Sequence, residues 1–183
     1  MSRVRPASPP GDRAVTGHDI AREILLELTL TWMAIIFILS SQQQASSEQT
    51  SGGVVRFLAD LFRLTDGLNA EAAAVYMTGF TFFVRKMAHF TEFMILGGLL
   101  SGLLLTFPVS WLFRALTAFF TGALYAVSDE IHQYFVEGRA MQVFDMLIDA
   151  AGVATGVLFV LGIAAMWLDA HRRDTAGAAV LNP

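Results

Sequence analysis

Four stretches of the chain run almost free of charge: residues 24–41, broken only by Glu27 near one end, then 93–113, 115–128 and 150–168. A helix needs about 20 apolar residues to cross the hydrocarbon of a bilayer, and all four approach that length. The third reaches it when Leu112 and Arg114 sit at one interface, the Arg extending toward water, and 129–131 sit at the other. The pattern predicts an all-α membrane protein, a four-helix transmembrane bundle with unequal connections.

The connection between the first two spans is long and changes character along its length. Residues 40–53 are rich in Ser and Gln and read as a loop. Over 54–64, Val54, Phe57, Leu58, Leu61 and Phe62 recur at helical spacing while Arg56, Asp60 and Arg63 fall on the other side, which predicts a short amphipathic helix. A second short helix is expected after Asn69, a good N-cap, with Glu71 in its first turn. Both suit the interface plane or the span ends equally well. The second span is then expected to start near Met87.

Composition agrees with the pattern. The chain is 55% hydrophobic and 15% charged, with 15 Phe, and its net charge of −4 includes no basic block for nucleic acid. It has no Cys, so coordination or catalysis would fall to His, Asp, Glu and hydroxyls. With the N-terminus inside, Arg3, Arg5, Arg13, Arg22, Arg114, Arg172 and Arg173 face the cytoplasm, against Arg56, Arg63, Arg85, Lys86 and Arg139 outside. The bias predicts N-in and C-in: 1–22 a disordered cytoplasmic N-terminus, 23–170 the four-span domain and 171–183 a cytoplasmic tail, the residues from about Asp174 disordered. The flank of the first span mixes Asp12, Asp19 and Glu23 with Arg, which suits an uncleaved anchor better than a signal peptide.

Ionisable residues are costly in or near hydrocarbon, yet they gather at one set of span ends. Arg85, His89 and Glu92 are four and three apart, on one helical face. Asp145, Asp149, Gly152 and Gly156 follow steps of four, three and four, and the small-xxx-small pair of glycines directs both carboxylates toward a neighbouring helix. Asp129, Glu130, His132 and Gln133 end the third span on the same side, and Lys86 and Arg139 complete the set. An antiparallel bundle brings these eleven residues together as one candidate site.

These residues also resemble a known family. The run 37–42, Phe-Ile-Leu-Ser-Ser-Gln, with Ser47 and Ser51; Arg85-Lys86 with His89, Phe90, Glu92, Phe93 and Leu96-Gly97; and Tyr125-Ala126 with 128–133, Ser-Asp-Glu-Ile-His-Gln, then Phe135, Gly138-Arg139, Asp145 and Gly152, are similar to the VanZ-like family of bacterial membrane proteins. The resemblance covers about residues 30–165. It implies a small helical domain of the bacterial cytoplasmic (inner) membrane linked to low-level resistance to teicoplanin-type glycopeptides, and it supplies no reaction. The chain departs from the family pattern after Asp149, where Ala150-Ala151 stand in place of a polar residue nearer Gly152.

Three kinds of role fit the cluster. In a binding role, Arg85, Lys86 and Arg139 hold a phosphate or carboxylate while Asp129, Glu130, Asp145 and Gln133 orient them or accept from hydroxyls, so the partner is a membrane lipid, a lipid-linked envelope precursor or a glycopeptide. In an enzymatic role, His89 or His132 acts as acid or base opposite Glu92 or Glu130. A metal variant with His89, Glu92, Asp129 and His132 is disfavoured because His-x-x-Glu is common by chance and no further His is near; no cofactor is expected. In a structural role the charges satisfy one another and fix helix register. Ion transport is disfavoured, because 99–107 and 158–166 offer no ionisable relay.

Overall fold

A computed structural model describes residues 17–42, 44–139 and 141–181, with side chains at 17–42, 52–139 and 141–175. Five helices follow one another: α1 Gly17–Ser40, α2 Gln44–Phe62, α3 Ala70–Leu105, α4 Trp111–Tyr134 and α5 Val143–Leu181. All but α2 are long and apolar enough to cross a membrane, as the hydrophobic pattern predicts. The protein is a multi-pass helical membrane protein.

The helices are longer than the charge-free runs that announce them. α2 begins at Gln44, inside the stretch read as a loop, because nothing in 44–53 breaks a helix beyond the paired Gly52 and Gly53. The helix expected after Asn69 and the second span are one: Asn69 caps α3, its Oδ1 accepting the Ala72 N–H at 2.9 Å, and no Pro interrupts the next 36 residues. At 1.5 Å per residue α3 is about 54 Å long, well beyond the ~30 Å of hydrocarbon. Its first part therefore projects past the bundle, where α2 packs along it through the buried Val55 and Ala59. At the other extremity α1 starts at Gly17 and the backbone of α5 continues to Leu181, so helix extends into both stretches expected to be disordered. Residues 1–16 and 182–183 lie outside the described residues, and so do the side chains of Ser47 and Ser51.

At the end of the bundle near the N-terminus, two arginines close α3. Arg22 donates to the Thr106 carbonyl at 3.1 Å, and Arg114 donates to Phe107 O at 2.8 Å and Leu104 O at 3.2 Å. Arg114 thus turns back onto carbonyls instead of simply extending to water, which the negative end of the α3 dipole favours. The core between the two ends is built from Ile36, Phe93, Leu96, Leu100, Ala118, Ala126, Val153 and Val157.

α3 and α5 form the tightest pair. Lipid tails are as apolar as Leu, so association inside a membrane rests on close packing of small residues. A Cβ on Gly152 would collide with the Phe90 carbonyl, and one on Gly156 with the Met94 carbonyl and, at 2.8 Å, with the Gly98 nitrogen. The small-xxx-small face read from the sequence is therefore a backbone-to-backbone seam. Gly156→Val is expected to destabilise the folded protein in detergent by about 1–3 kcal/mol or more. Gly162→Ala, at a position with nothing within 4 Å, should unfold near the wild-type temperature. A thermal melt followed by size exclusion checks both.

Candidate functional site

The helix directions bring four elements to one end. Ser40 ends α1, Asp129 to Gln133 end α4, Asp145 and Asp149 open α5, and α3 passes through with Arg85 to Glu92. The central contact joins α3 to α5: Lys86 Nζ donates to Asp145 Oδ1, and Lys86 is 6% exposed. The Phe82 ring lies 5.1 Å from the same ammonium. Lys86, not Arg85, lies on the most deeply buried stripe of α3, because that stripe runs Lys86, Phe93, Leu96, Gly97 and Leu100. Spacing from Arg85 to Glu92 alone misses this by one position. Arg85, His89 and Glu92 flank the stripe and are half-buried.

A second network crosses three elements. Asp129 Oδ2 accepts from Ser40 Oγ at 2.8 Å and from Gln133 Nε2 at 2.7 Å. Gln133 Oε1 in turn accepts from the Arg139 guanidinium at 2.8 Å. Between them the chain turns sharply: Arg139 N–H donates to Val136 O at 3.1 Å, with Gly138 at φ +79° in the turn. Only Gly adopts that backbone at no steric cost, which is the physical content of the Gly138-Arg139 pair. Burial, with Arg85 nearby, pushes the Arg139 guanidinium below its ordinary range, while Asp129, Glu130 and Glu92 pull it back. Glu130, 1% exposed, accepts the Gln142 backbone N–H at 2.9 Å.

These contacts enclose a polar pocket of about 120 Å³ whose walls include Arg85, His89, Gln133, Arg139 and Gln142, with Asp145 beside Lys86. Below it the carboxyls go deeper. Asp149 is fully buried and neither of its oxygens has a hydrogen-bond partner among the described residues; Asp129 Oδ1 and His89 Nδ1 are likewise unpartnered. The His89 ring nitrogen stands 3.8 Å from Glu92 Oε2, beyond hydrogen-bond reach.

Of the eleven predicted residues, Arg85, His89, Gln133, Arg139 and Asp145 line the pocket, and Lys86, Glu92, Asp129, Glu130 and Asp149 lie buried or half-buried at the same end of the bundle. His132 stands apart, facing α1, with Nε2 3.0 Å from Ser41 Oγ and its ring stacked on Phe37 at 4.2 Å. It is one residue past the buried Asp129, Glu130 and Gln133 stripe of α4 and does not line the pocket. Among the described residues no three His, Asp or Glu stand together as metal ligands, so the four-residue metal variant does not assemble.

Two participants escape a reading by ionisable groups. Ser40 reaches Asp129 only because α1 and α4 end at the same level, although it stands within the family-like run 37–42. Gln142 lies in a connection without helical periodicity, and its polarity between Arg139 and Asp145 is the only sequence signal.

Among curated proteins and solved structures nothing matches the chain. A family model described as VanZ/LLP1 matches residues 25–166, from the first span to the last and across every element that supplies the pocket. The chain belongs to the VanZ-like family of membrane proteins.

Proposed function

We propose that the pocket binds the anionic head of a cell-envelope lipid or lipid-linked wall precursor. The observation that carries this reading is the convergence of two guanidiniums, Arg85 and Arg139, on one polar pocket. Arg presents a planar fork of donors suited to phosphate or carboxylate, and Gln133 fixes the direction of one fork. Two like charges beside one cavity repel each other, and an anion between them relieves that repulsion.

Size and surroundings narrow the ligand. A volume of about 120 Å³ takes a single phosphate or carboxylate, not a whole glycopeptide. The segment carrying Gly138, Arg139, Gln142 and Asp145 also exposes Phe135, Met141 and Phe144, and α3 exposes Phe82 and Phe83. Apolar side chains around a charged pocket suit an amphiphile, its head between the arginines and its chain along the rim. The family's link to teicoplanin-type resistance supports a wall-related molecule, because such a ligand connects the site to the material on which glycopeptides act. The positive-inside bias supports N-in and C-in topology, with the pocket at the outer face of the bacterial cytoplasmic membrane.

Short-chain phosphatidylglycerol should bind the purified protein and short-chain phosphatidylcholine should not. A hydrogen bond to a charged group contributes about 1.5–3 kcal/mol, so Arg139→Ala should weaken the binding about 10- to 100-fold. Arg139→Lys should fall between, keeping charge but losing the fork. Equal affinity of wild type and Arg139→Ala in a calorimetric titration would sink the proposal.

Topology is checked separately. The chain has no Cys, so single substitutions report cleanly. In intact cells an impermeant thiol reagent should label Asp60→Cys on α2 and spare Thr175→Cys on α5.

A further inference from the structure

The arginine pocket has an acidic floor that its own contacts leave unsatisfied. The buried and half-buried carboxyls at this end of the bundle are Glu92, Asp129, Glu130, Asp145 and Asp149, five against the three permanent cations Arg85, Lys86 and Arg139, while Glu137 is exposed in the connection. Three of the five have assigned donors: Asp145 from Lys86, Asp129 through one oxygen from Ser40 and Gln133, and Glu130 from the Gln142 backbone. Asp149 has none. It is 0% exposed, and both of its oxygens, like Asp129 Oδ1, are buried without a partner.

Desolvation makes such a group expensive, and a buried charge that persists is paired, metal-bound or neutralised. Pairing is not available. The charged groups that act on Asp149 are all carboxyls: Glu92 from α3, Asp129 and Glu130 from α4, and Asp145 from its own helix. Lys86 already serves Asp145, and Arg139 donates to Gln133. A metal ion does not fit either, since no three ligating side chains stand together among the described residues. The cation small enough for a closed carboxyl layer is a proton.

We propose that the carboxyl layer around Asp149 is a proton-binding site, and that a proton is taken up there when an anion enters the arginine pocket. The inference rests on the anion-binding reading of that pocket. Its logic is electrostatic. Without an anion in the pocket, the Arg139 guanidinium offsets Asp129, Glu130 and Glu92. An entering phosphate takes that positive field for itself and adds negative charge above the floor, so protonation of the floor becomes more favourable. Linkage is reciprocal: if the anion promotes proton uptake, lower pH must tighten anion binding. Proton entry and exit use the same face, because 99–107 and 158–166 carry no ionisable residue to pass a proton onward.

The test uses the full chain in neutral-lipid nanodiscs and short-chain phosphatidylglycerol, whose phosphodiester keeps one charge across the pH range. Titration in two buffers of different ionisation enthalpy counts protons without any variant. Wild type should take up close to one proton per lipid where the linkage is full, with affinity falling about tenfold per pH unit there. Asp149→Asn, nearly isosteric, should bind with a flat pH profile and no uptake, while His132→Gln, whose ring packs on Phe37 away from the pocket, should keep the uptake. Lipid binding by wild type with no proton exchange overturns the inference, as does wild-type uptake in Asp149→Asn, and both leave the anion pocket standing. No lipid binding at any pH overturns the pocket reading itself, and this inference with it.

Discussion

Backbone contact between α3 and α5 sets the position of every polar group at the site. Gly152 and Gly156 let α5 lie against the Phe90 and Met94 carbonyls, and Gly97 does the same for the Val153 backbone from the other side. Helices that close have little freedom to slide, because a shift along the axis drives a side chain into backbone. The register so fixed puts Asp145 beside Lys86 and carries Asp149 into the interior. Truncating either partner of a buried pair leaves the other charge uncompensated, at a cost of about 3–5 kcal/mol. The ion pair is therefore a consequence of the seam that also guards its register.

The other helices join through hydrogen bonds of a different kind. Ser40 from α1 and Gln133 from α4 both donate to Asp129 Oδ2, and the free end of the Gln133 amide accepts from Arg139. An amide has one acceptor and one donor end, so its orientation here is fixed by an anion on one side and a cation on the other. The tight turn at Gly138 then returns the chain just far enough for Arg139 to reach it. At the opposite end of the bundle, Arg22 and Arg114 spend their charge on the last carbonyls of α3, so those cations have a structural task already. Arg85 and Arg139 differ from them in facing a pocket.

Much of this was legible in the sequence, for identifiable reasons. Spans are legible because hydrocarbon tolerates so few charges, and the Asp145, Asp149, Gly152 and Gly156 face because steps of three and four mark one side of a helix. Lengths were not: composition shows where a helix can enter hydrocarbon, while its end depends on a cap or breaker, and between Asn69 and Thr106 there is neither. The choice between Arg85 and Lys86 as the buried cation was illegible for a related reason. Adjacent positions differ by about 100° around the axis, and only the partner helix decides which points inward. Ser40 and His132 mark the limit most clearly, since the roles of both depend on where α1 ends relative to α4.

The arrangement also constrains what kind of chemistry the site can support. Its cations lie at the pocket and its unpartnered carboxyls lie beneath, so an entering group meets positive charge before negative. Among the described residues no hydroxyl side chain lines the pocket, and Asp145 is held by Lys86. Covalent catalysis would need a nucleophile freed from such contacts, whereas binding needs only that the contacts stay as they are. Below the carboxyl layer the core runs through Leu96, Leu100, Val153 and Val157, and the buried Thr29 and Ser101 add hydroxyls but no charge. On the binding reading proposed above, a charged ligand meets a floor of carboxyls, and 99–107 and 158–166 carry no ionisable residue beyond it.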